Sequence, residues 1–391
     1  MASLFERIFS RYFSGNHNPP PAMPEGDLLP EDTVVAPHTA PLYRFVEESQ
    51  QAAPKAPAAT AAAATSARTT LPPSPFQHWY PRAPVDPLFY EWLLGFPPAR
   101  QPHPQEQELT DSLYELLNAE LNQQTLVPRM PGIIPPLLST LRQEHASVSQ
   151  LTRLILRDPA LVGEVLLAVN NVLHHHVQKI TSLDAAVLML GEDGLRYVIA
   201  KVAFRPILNL QQGPYSRRAG PVIWTQSEKC GLVCHALSSD NHDTAPFHAF
   251  LAGLLHQIGL ITVFRMLDQQ VRDTTTPFSL SFCLLLQVVA NTLSTRIATE
   301  WGLPEEVISA LREQIPGGDT SQVSSLGVLL HNADLIAKMR MLINQKLLRS
   351  QETILLHGLS AQEAYCYRHL DQLKLFELNL NEPAPNHTGA A

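Results

Sequence analysis

From Leu109 onwards, apolar residues recur at helical spacing almost without interruption, and this periodicity restricts the fold more than any other feature of the sequence. One stripe consists of Leu113, Leu116, Leu117 and Leu121, and a second consists of Val148, Leu151, Leu154 and Ile155. Apolar residues three and four positions apart share one face of an α-helix, whereas half-buried strands alternate apolar and polar residues. The sequence contains no convincing set of alternating strands. The pattern therefore predicts an all-α fold.

Capping and turn residues predict where several helices begin and end. Asp158 followed by Pro159 is a typical helix start, because a carboxylate caps the helix and proline suits its first position. Ser182 is predicted to cap the next helix, which Gly191 can end. Pro304, followed by two glutamates, opens another helix with acidic side chains at its positive end. These signals place the helical core at residues 126–340.

Composition divides the chain before this core. Residues 1–14 are predicted to form an amphipathic helix whose apolar face carries Leu4, Phe5, Ile8, Phe9, Tyr12 and Phe13. Such a helix can dock on a partner protein, fold back onto its own chain, or contact a membrane surface. Two arginines are few for a lipid anchor, so docking is the favoured interpretation. Residues 15–75 are rich in proline and alanine and predict a disordered linker.

The remaining segments flank the core on both sides. Residues 76–125 form an aromatic and proline-rich strap with a lead-in helix, and we expect residues 76–100 to lie over the core as extended and short helical pieces. These aromatic residues could instead form a partner-binding motif. Residues 341–380 are predicted to form a C-terminal helical extension, followed by a tail at 381–391.

Charge, cysteine content and hydropathy exclude several classes of function. The net charge of −8 argues against nucleic-acid binding, which needs cationic surface. The four cysteines form no CxxC pair and are predicted to be buried and reduced. We find no signal peptide and no uninterrupted apolar run of about 18–20 residues, the length that a membrane span needs. These features predict a cytoplasmic protein.

One short stretch breaks the apolar pattern. In FLAGLLHQIGLIT, residues 250–262, two polar residues, His256 and Gln257, lie side by side in an otherwise apolar helix. Such a pair is expected at a metal or catalytic site, or at the remnant of one. Three consecutive histidines at 174–176 also resemble a metal tract, but consecutive residues in a connection cannot all face one ion, so we interpret them as solvated loop residues.

The order of six motifs identifies a resemblance to the HDOD domain, a regulatory relative of the HD-domain phosphohydrolases. The motifs are IIPPLLSTL at 133–141, RDPALVGEVLLAVN at 157–170, ITSLDAAVLMLGEDGLRYVI at 180–199, VIWTQSEKC at 222–230, FLAGLLHQIG at 250–259 and WGLPEEVISAL at 301–311. Each motif alone is weak evidence for the family, but the occurrence of all six in the family's order is specific. The resemblance covers roughly residues 126–340 and implies a multi-helix HD-like bundle.

The resemblance also implies where a metal site has been lost. In HD phosphohydrolases a His, a His-Asp pair and a later Asp bind a metal that activates water. Here His256 keeps the histidine, Gln257 replaces the aspartate, and Ser227 stands at the upstream position. Asp334, in HNADLIAKM, keeps the downstream acid. A neutral amide and a hydroxyl are poor ligands for a catalytic divalent ion, so the resemblance implies no bound metal and no other cofactor.

The resulting hypothesis is a non-enzymatic bacterial signalling module that acts through contacts with a protein partner. The alternative is a sensor in which the former catalytic cleft, at Ser227, His256, Gln257 and Asp334, binds a nucleotide or metabolite. The arginines closest to that cleft in the sequence, Arg205, Arg217 and Arg218, would then supply the positive charge. A residual metal-dependent phosphohydrolase is the third and least favoured hypothesis.

Overall fold

The computed structural model describes nine stretches of the chain, and all structural statements below refer to them. They are residues 82–121, 125–141, 148–156, 159–172, 180–208, 213–239, 243–316, 323–348 and 359–373. The predicted helix at 1–14, the linker at 15–75, the histidines at 174–176 and the tail at 381–391 lie outside the described residues. Residues 73–391 cluster as one compact unit by their contacts.

The described stretches contain thirteen α-helices and no strand, which confirms the predicted all-α fold. In chain order they are α1 (Arg82–Leu94), α2 (Glu106–Asn118), α3 (Ile134–Leu141), α4 (Val148–Leu156), α5 (Pro159–Val172), α6 (Leu183–Leu208), α7 (Pro214–Ser238), α8 (Pro246–Leu255), α9 (Ile258–Gln270), α10 (Leu280–Glu300), α11 (Glu305–Arg312), α12 (Ser325–Asn344) and α13 (Ala361–His369). One isolated β-bridge joins Ala99 to Ser279.

Local sequence signals explain several helix boundaries. The Ser182 hydroxyl accepts a hydrogen bond from the Ala185 amide, as a capping serine should. Gly191 interrupts α6 at a φ of +64°, a conformation that glycine adopts without steric cost. Helix α5 begins at Pro159, as predicted. Helix α11 has Pro304 at its N-cap and two glutamates in its first turn.

The core helices α7, α8, α9, α10 and α12 pack around one apolar interior, and α8 packs most extensively on α7. Glycines allow two close approaches within this core. A Cβ atom on Gly253 of α8 would lie 2.7 Å from the backbone of Gly231 in α7. A Cβ atom on Gly259 of α9 would lie 2.1 Å from the Ala290 carbonyl oxygen in α10. The α8–α9 junction is therefore held tightly between α7 and α10.

The strap differs from its prediction, because much of it is one regular helix. Helix α1 runs for 13 residues although Pro87 lies inside it. Its side chains Val85, Phe89 and Leu93 are fully buried. Their spacing of four residues places all three on one face, which packs against α7 and α12. Burial of this apolar stripe explains why the helix forms despite its proline.

Two stretches, Pro246–Gln270 and Leu280–Glu300, are long and apolar enough to cross a membrane when judged by length and composition. The first spans α8, α9 and the two residues between them. However, 94% of its apolar window is buried inside the protein. Core helices of soluble proteins pass the same test, so these stretches are weak indications of a membrane span.

Candidate functional site

His256 and Gln257 lie between two helices, and not inside one apolar helix as the sequence suggested. Helix α8 ends at Leu255, α9 begins at Ile258, and Gln257 is the N-cap residue of α9. Ser294 of α10 supports this break: its hydroxyl donates to the His256 carbonyl oxygen at 2.7 Å and accepts from the Gly259 amide at 2.9 Å. The break therefore satisfies backbone groups that a continuous helix would have paired internally.

The His256 side chain is buried and bonded on both ring nitrogens. Its Nδ1 lies 2.7 Å from the Gly253 carbonyl oxygen, and its Nε2 lies 3.1 Å from Oδ1 of Asp334. Burial lowers the pKa of His256, but Cys230 and the hydrogen-bonded Asp334 carboxylate raise it to about 10. A protonated imidazole donates at both nitrogens, which agrees with two acceptors as its partners.

Asp334 is the centre of the buried polar network. Besides His256, its Oδ1 accepts a hydrogen bond from Gln226 Nε2 at 2.6 Å. Its Oδ2 accepts from Lys338 Nζ at 2.8 Å, one turn further along α12. Gln226 Nε2 and His256 Nε2 lie 3.0 Å apart because both donors converge on one oxygen. At least three protein groups therefore engage this carboxylate.

Lys338 links the network to the strap. Its ammonium also forms an ion pair with Asp86 Oδ1 of α1 at 2.9 Å, and it lies 5.2 Å from the centre of the Phe89 ring. The Lys338 side chain is only 3% exposed, so both ion pairs are shielded from water. Two carboxylates thus contact one buried ammonium. Removing either kind of partner would leave buried charge unpaired, which is costly.

A narrow cleft adjoins this network; its atom-free space amounts to about 400 Å³ when the open solvent at its mouth is included. Its walls consist of Tyr90, His256, Gln257, Gln287, Asn291, Leu311, Gln314, Asp334 and Lys338. Gln257 is buried, and its side chain makes no hydrogen bond within the described part of the chain. Burial and the nearby carboxylates Asp86 and Asp334 raise the pKa of Tyr90, so the phenol stays neutral. Four carboxamide side chains make this a polar cleft.

Ser227 does not join the other three predicted residues. Its side chain is buried, but its hydroxyl has no hydrogen-bond partner among the described residues, and the residue does not line the cavity. The preceding residue, Gln226, makes the contacts with His256 and Asp334. Adjacent residues on a helix point about 100° apart, so a shift of one position selects a different side chain. The upstream position of the site is therefore occupied by glutamine.

Sequence reasoning missed Gln226, Lys338 and Asp86. A signal existed for Lys338, because a lysine four residues after an aspartate on a helix is a common ion pair. No sequence signal placed Asp86, which is 252 positions away from Lys338. None of the arginines considered as cleft cations, Arg205, Arg217 and Arg218, lines the cleft. Arg205 approaches Glu164, and Arg218 donates to the Leu94 carbonyl oxygen. The predicted docking residues at 1–14 lie outside the described stretches.

The side chains at this site do not fit a divalent metal. A catalytic ion needs several carboxylate or imidazole ligands with free lone pairs. Here Gln226 and Gln257 contribute neutral amides, and Lys338 brings a competing positive charge to Asp334. Within the described stretches, no group of three or more His, Cys, Asp or Glu side chains is arranged to hold an ion.

Comparison with known proteins gives one family. Residues 127–315 match the model of the HDOD domain. An uncharacterized protein of Treponema pallidum (strain Nichols) is 23% identical over 195 residues, which are 48% of this chain and 37% of the relative. The matched region thus spans about a third of that relative's length.

Three solved structures are similar to the chain. An HDOD domain protein of unknown function from Geobacter sulfurreducens has a TM-score of 0.48 and 16% identity, covering 69% of this chain and 99% of its own. A Shewanella amazonensis protein, provisionally named a metal-dependent phosphohydrolase, has the same TM-score, identity and coverage. A Marinobacter aquaeolei protein with a provisional name in signal transduction has a TM-score of 0.47 and 19% identity, covering 71% of this chain and 65% of its own.

Proposed function

Residues 127–315 of this chain form an HDOD domain, and from this premise we propose that the protein is a non-enzymatic signalling module. It acts by binding a protein partner, and its former metal site serves as a structural part of the core. The proposed setting is the bacterial cytoplasm. The role agrees with the regulatory character of the domain and with a chain that carries long additional segments outside it.

The observation that carries this proposal is that both carboxylate oxygens of Asp334 already accept hydrogen bonds from protein side chains. In a metal site this carboxylate would offer its oxygens to an ion. Here they accept hydrogen bonds from His256, Gln226 and Lys338, and the buried Lys338 ammonium supplies the positive charge. A metal would have to displace a buried cation that holds a second carboxylate, Asp86, as well. Such displacement would leave buried charge without a partner, which is costly.

Metal content and hydrolysis test the absence of catalysis. Protein purified without chelator is expected to contain far less than one iron, manganese or zinc per chain by elemental analysis. With added manganese it should not hydrolyse bis(p-nitrophenyl) phosphate or nucleotides faster than a His256→Ala variant. A stoichiometric metal, or metal-dependent turnover that His256→Ala abolishes, would overturn the proposal.

Partner binding is tested with the full chain and a variant that lacks residues 1–14. We propose that the apolar face predicted there docks on the partner, with the proline-rich segment as its tether, because a tether raises the local concentration of a docking peptide. A defined binding protein recovered from the source cells should be retained by the full chain and lost by the shortened one. Equal recovery by both proteins would show that residues 1–14 are not the docking element.

A second function is favoured by the polar cavity. Its carboxamides and Lys338 offer donors and acceptors suited to a nucleotide or another polar metabolite. A ligand that binds there should raise the melting temperature of the protein. The matched variant is Gln257→Leu, because this side chain has no hydrogen bond to lose within the described stretches. A melting-temperature increase that Gln257→Leu leaves unchanged would place the ligand outside the cavity.

A further inference from the structure

The cleft is covered by a helix that does not belong to the matched domain. Helix α1 lies before residue 127, yet it contributes Tyr90 to the cavity wall and Asp86 to the Lys338 ion pair. Gln287, another wall residue, also approaches Asp86, with Nε2 3.5 Å from Oδ2. Access to the deepest polar groups of the cleft therefore depends on where α1 lies.

Besides the Gln287 contact, two polar contacts fix α1 to the core. Near its start, Asp86 pairs with Lys338 of α12. At its end, Arg218 of α7 donates to the Leu94 carbonyl oxygen at 3.0 Å. Gly95 permits this second contact: it has a φ of +89°, and a Cβ atom there would overlap the Arg218 guanidinium. Both ends of α1 are thus held by side chains of the core helices α7 and α12.

The helix depends on these contacts more than on its own sequence. Isolated helices of fewer than about 12–15 residues are marginal in water, and α1 has 13 residues. Pro87 lacks the amide hydrogen for one helical hydrogen bond and disfavours an interior helical position. Docking therefore stabilises α1, and a segment of this kind opens more easily than the surrounding core.

We propose that α1 is a lid over the cleft, held closed by the Asp86–Lys338 ion pair, and that the buried groups Asp334 and Lys338 become accessible when α1 detaches. The lid is an intramolecular element of the full chain. It goes beyond the proposed signalling role and does not depend on it.

Cys283 provides a natural reporter of lid opening. It is buried in the first turn of α10 and shares the walls of a second cavity with Leu94, at the end of α1, and with Phe96. Burial raises the pKa of its thiol to about 12, so the covered thiol reacts slowly. Cys230, Cys234 and Cys366 are also buried, and none of them lines this cavity. Cys234 and Cys366 therefore report on opening elsewhere, whereas Cys230 neighbours His256 of the cleft and is not used as a control.

The experiment compares thiol labelling rates in the unmodified full chain, Asp86→Asn and the control Asp111→Asn, an exposed change on α2. Iodoacetamide labelling, resolved by mass spectrometry for each cysteine, is expected to accelerate about tenfold or more at Cys283 in Asp86→Asn. Rates at Cys234 and Cys366, and all rates in Asp111→Asn, should stay unchanged. No acceleration at Cys283, or a parallel increase at all four thiols, would overturn the lid.

Hydrogen exchange of the unmodified protein gives a second test that needs no variant. Amides of residues 82–94 should exchange together, and about tenfold or more faster than those in the centres of α7 and α12, because the lid opens without the core. If α1 exchanges as slowly as α12, it is a fixed part of the core and not a lid.

Discussion

At the scale of single residues, Lys338 determines the character of the cleft. It is the buried cation that contacts both Asp334 and Asp86, and it lies over the Phe89 ring. A lysine at this position stabilises the carboxylates permanently, whereas a metal would have tied their stability to metal supply. The positive charge that balances Asp334 and Asp86 therefore comes from a side chain of the protein itself and not from a bound ion.

Replacing Asp334 by asparagine tests this network. The change keeps the shape of the side chain but removes the negative charge that Lys338 and His256 share, so buried His256 loses its counter-charge and Lys338 keeps only Asp86. We expect the free energy of unfolding to fall by about 2–4 kcal/mol, measured by urea denaturation. The exposed control Asp111→Asn should change it by less than about 0.5 kcal/mol. Equal stability of both variants would mean that the network contributes nothing to the fold.

At the scale of helices, backbone contact between glycines sets the position of the site. The α7–α8 crossing at Gly231 and Gly253 brings the two helices together just before α8 ends at the polar pair. Gly253 also supplies the carbonyl oxygen that orients His256. Packing of the helices and orientation of the imidazole are therefore coupled through one residue.

The Gly253→Ala variant should be strongly destabilised. Its Cβ atom would meet Gly231 backbone atoms at 2.7 Å, and backbone cannot move aside as a flexible side chain can. We expect a loss of about 1–3 kcal/mol or more from overpacking. Gly163→Ala on the exposed face of α5 is the control, because nothing lies within 4 Å of its added methyl group. That change should stabilise the protein by roughly 0.4–1 kcal/mol. Thermal and urea denaturation distinguish the two outcomes.

Asp371, just after α13, predicts a pH dependence for the attachment of this helix. It contacts Lys229 of α7, and Arg340 and Asn344 of α12, at 2.6, 2.9 and 3.0 Å. Burial raises the pKa of Asp371, but these three donors together hold it well below its usual value. A depressed pKa in the folded state means stabilisation that is complete above the unfolded value near 3.8 and is lost as the pH falls below it.

The Asp371→Asn variant measures that contribution. Because the Asp371 side chain is 37% exposed, solvent screening limits the effect, and we expect a loss of about 0.5–1 kcal/mol at pH 6. The difference from the unmodified protein should shrink as the pH is lowered through 4 towards 3. A difference that is independent of pH would show that the contacts act through packing and not through charge.

At the scale of the whole molecule, the sequence predicts the helical class and several boundaries because these depend on local spacing and capping. Pro159, Ser182 and Pro304 are examples, since each acts on its own neighbours. The HDOD resemblance located His256 and Asp334 for the same reason: short motifs surround them. Contacts between distant segments were not predictable. Gln226 contacts His256 and Asp334 where Ser227 was expected, because tertiary packing decides which of two adjacent side chains on a helix points into the site. Asp86 reaches the site only through the tertiary fold, which helical periodicity does not predict.

The pairing of Asp86 with Lys338 also has a consequence for how the protein is made. The two residues are separated by 252 positions, so a ribosome has produced the first long before it reaches the second. At roughly 5–20 residues per second this interval lasts about 10–50 s. During that time Val85, Phe89 and Leu93 have no docking surface on α12, since its sequence is not yet translated. The earliest described helix thus lacks part of its docking surface for most of synthesis, and its apolar face cannot be fully covered until α12 has been made.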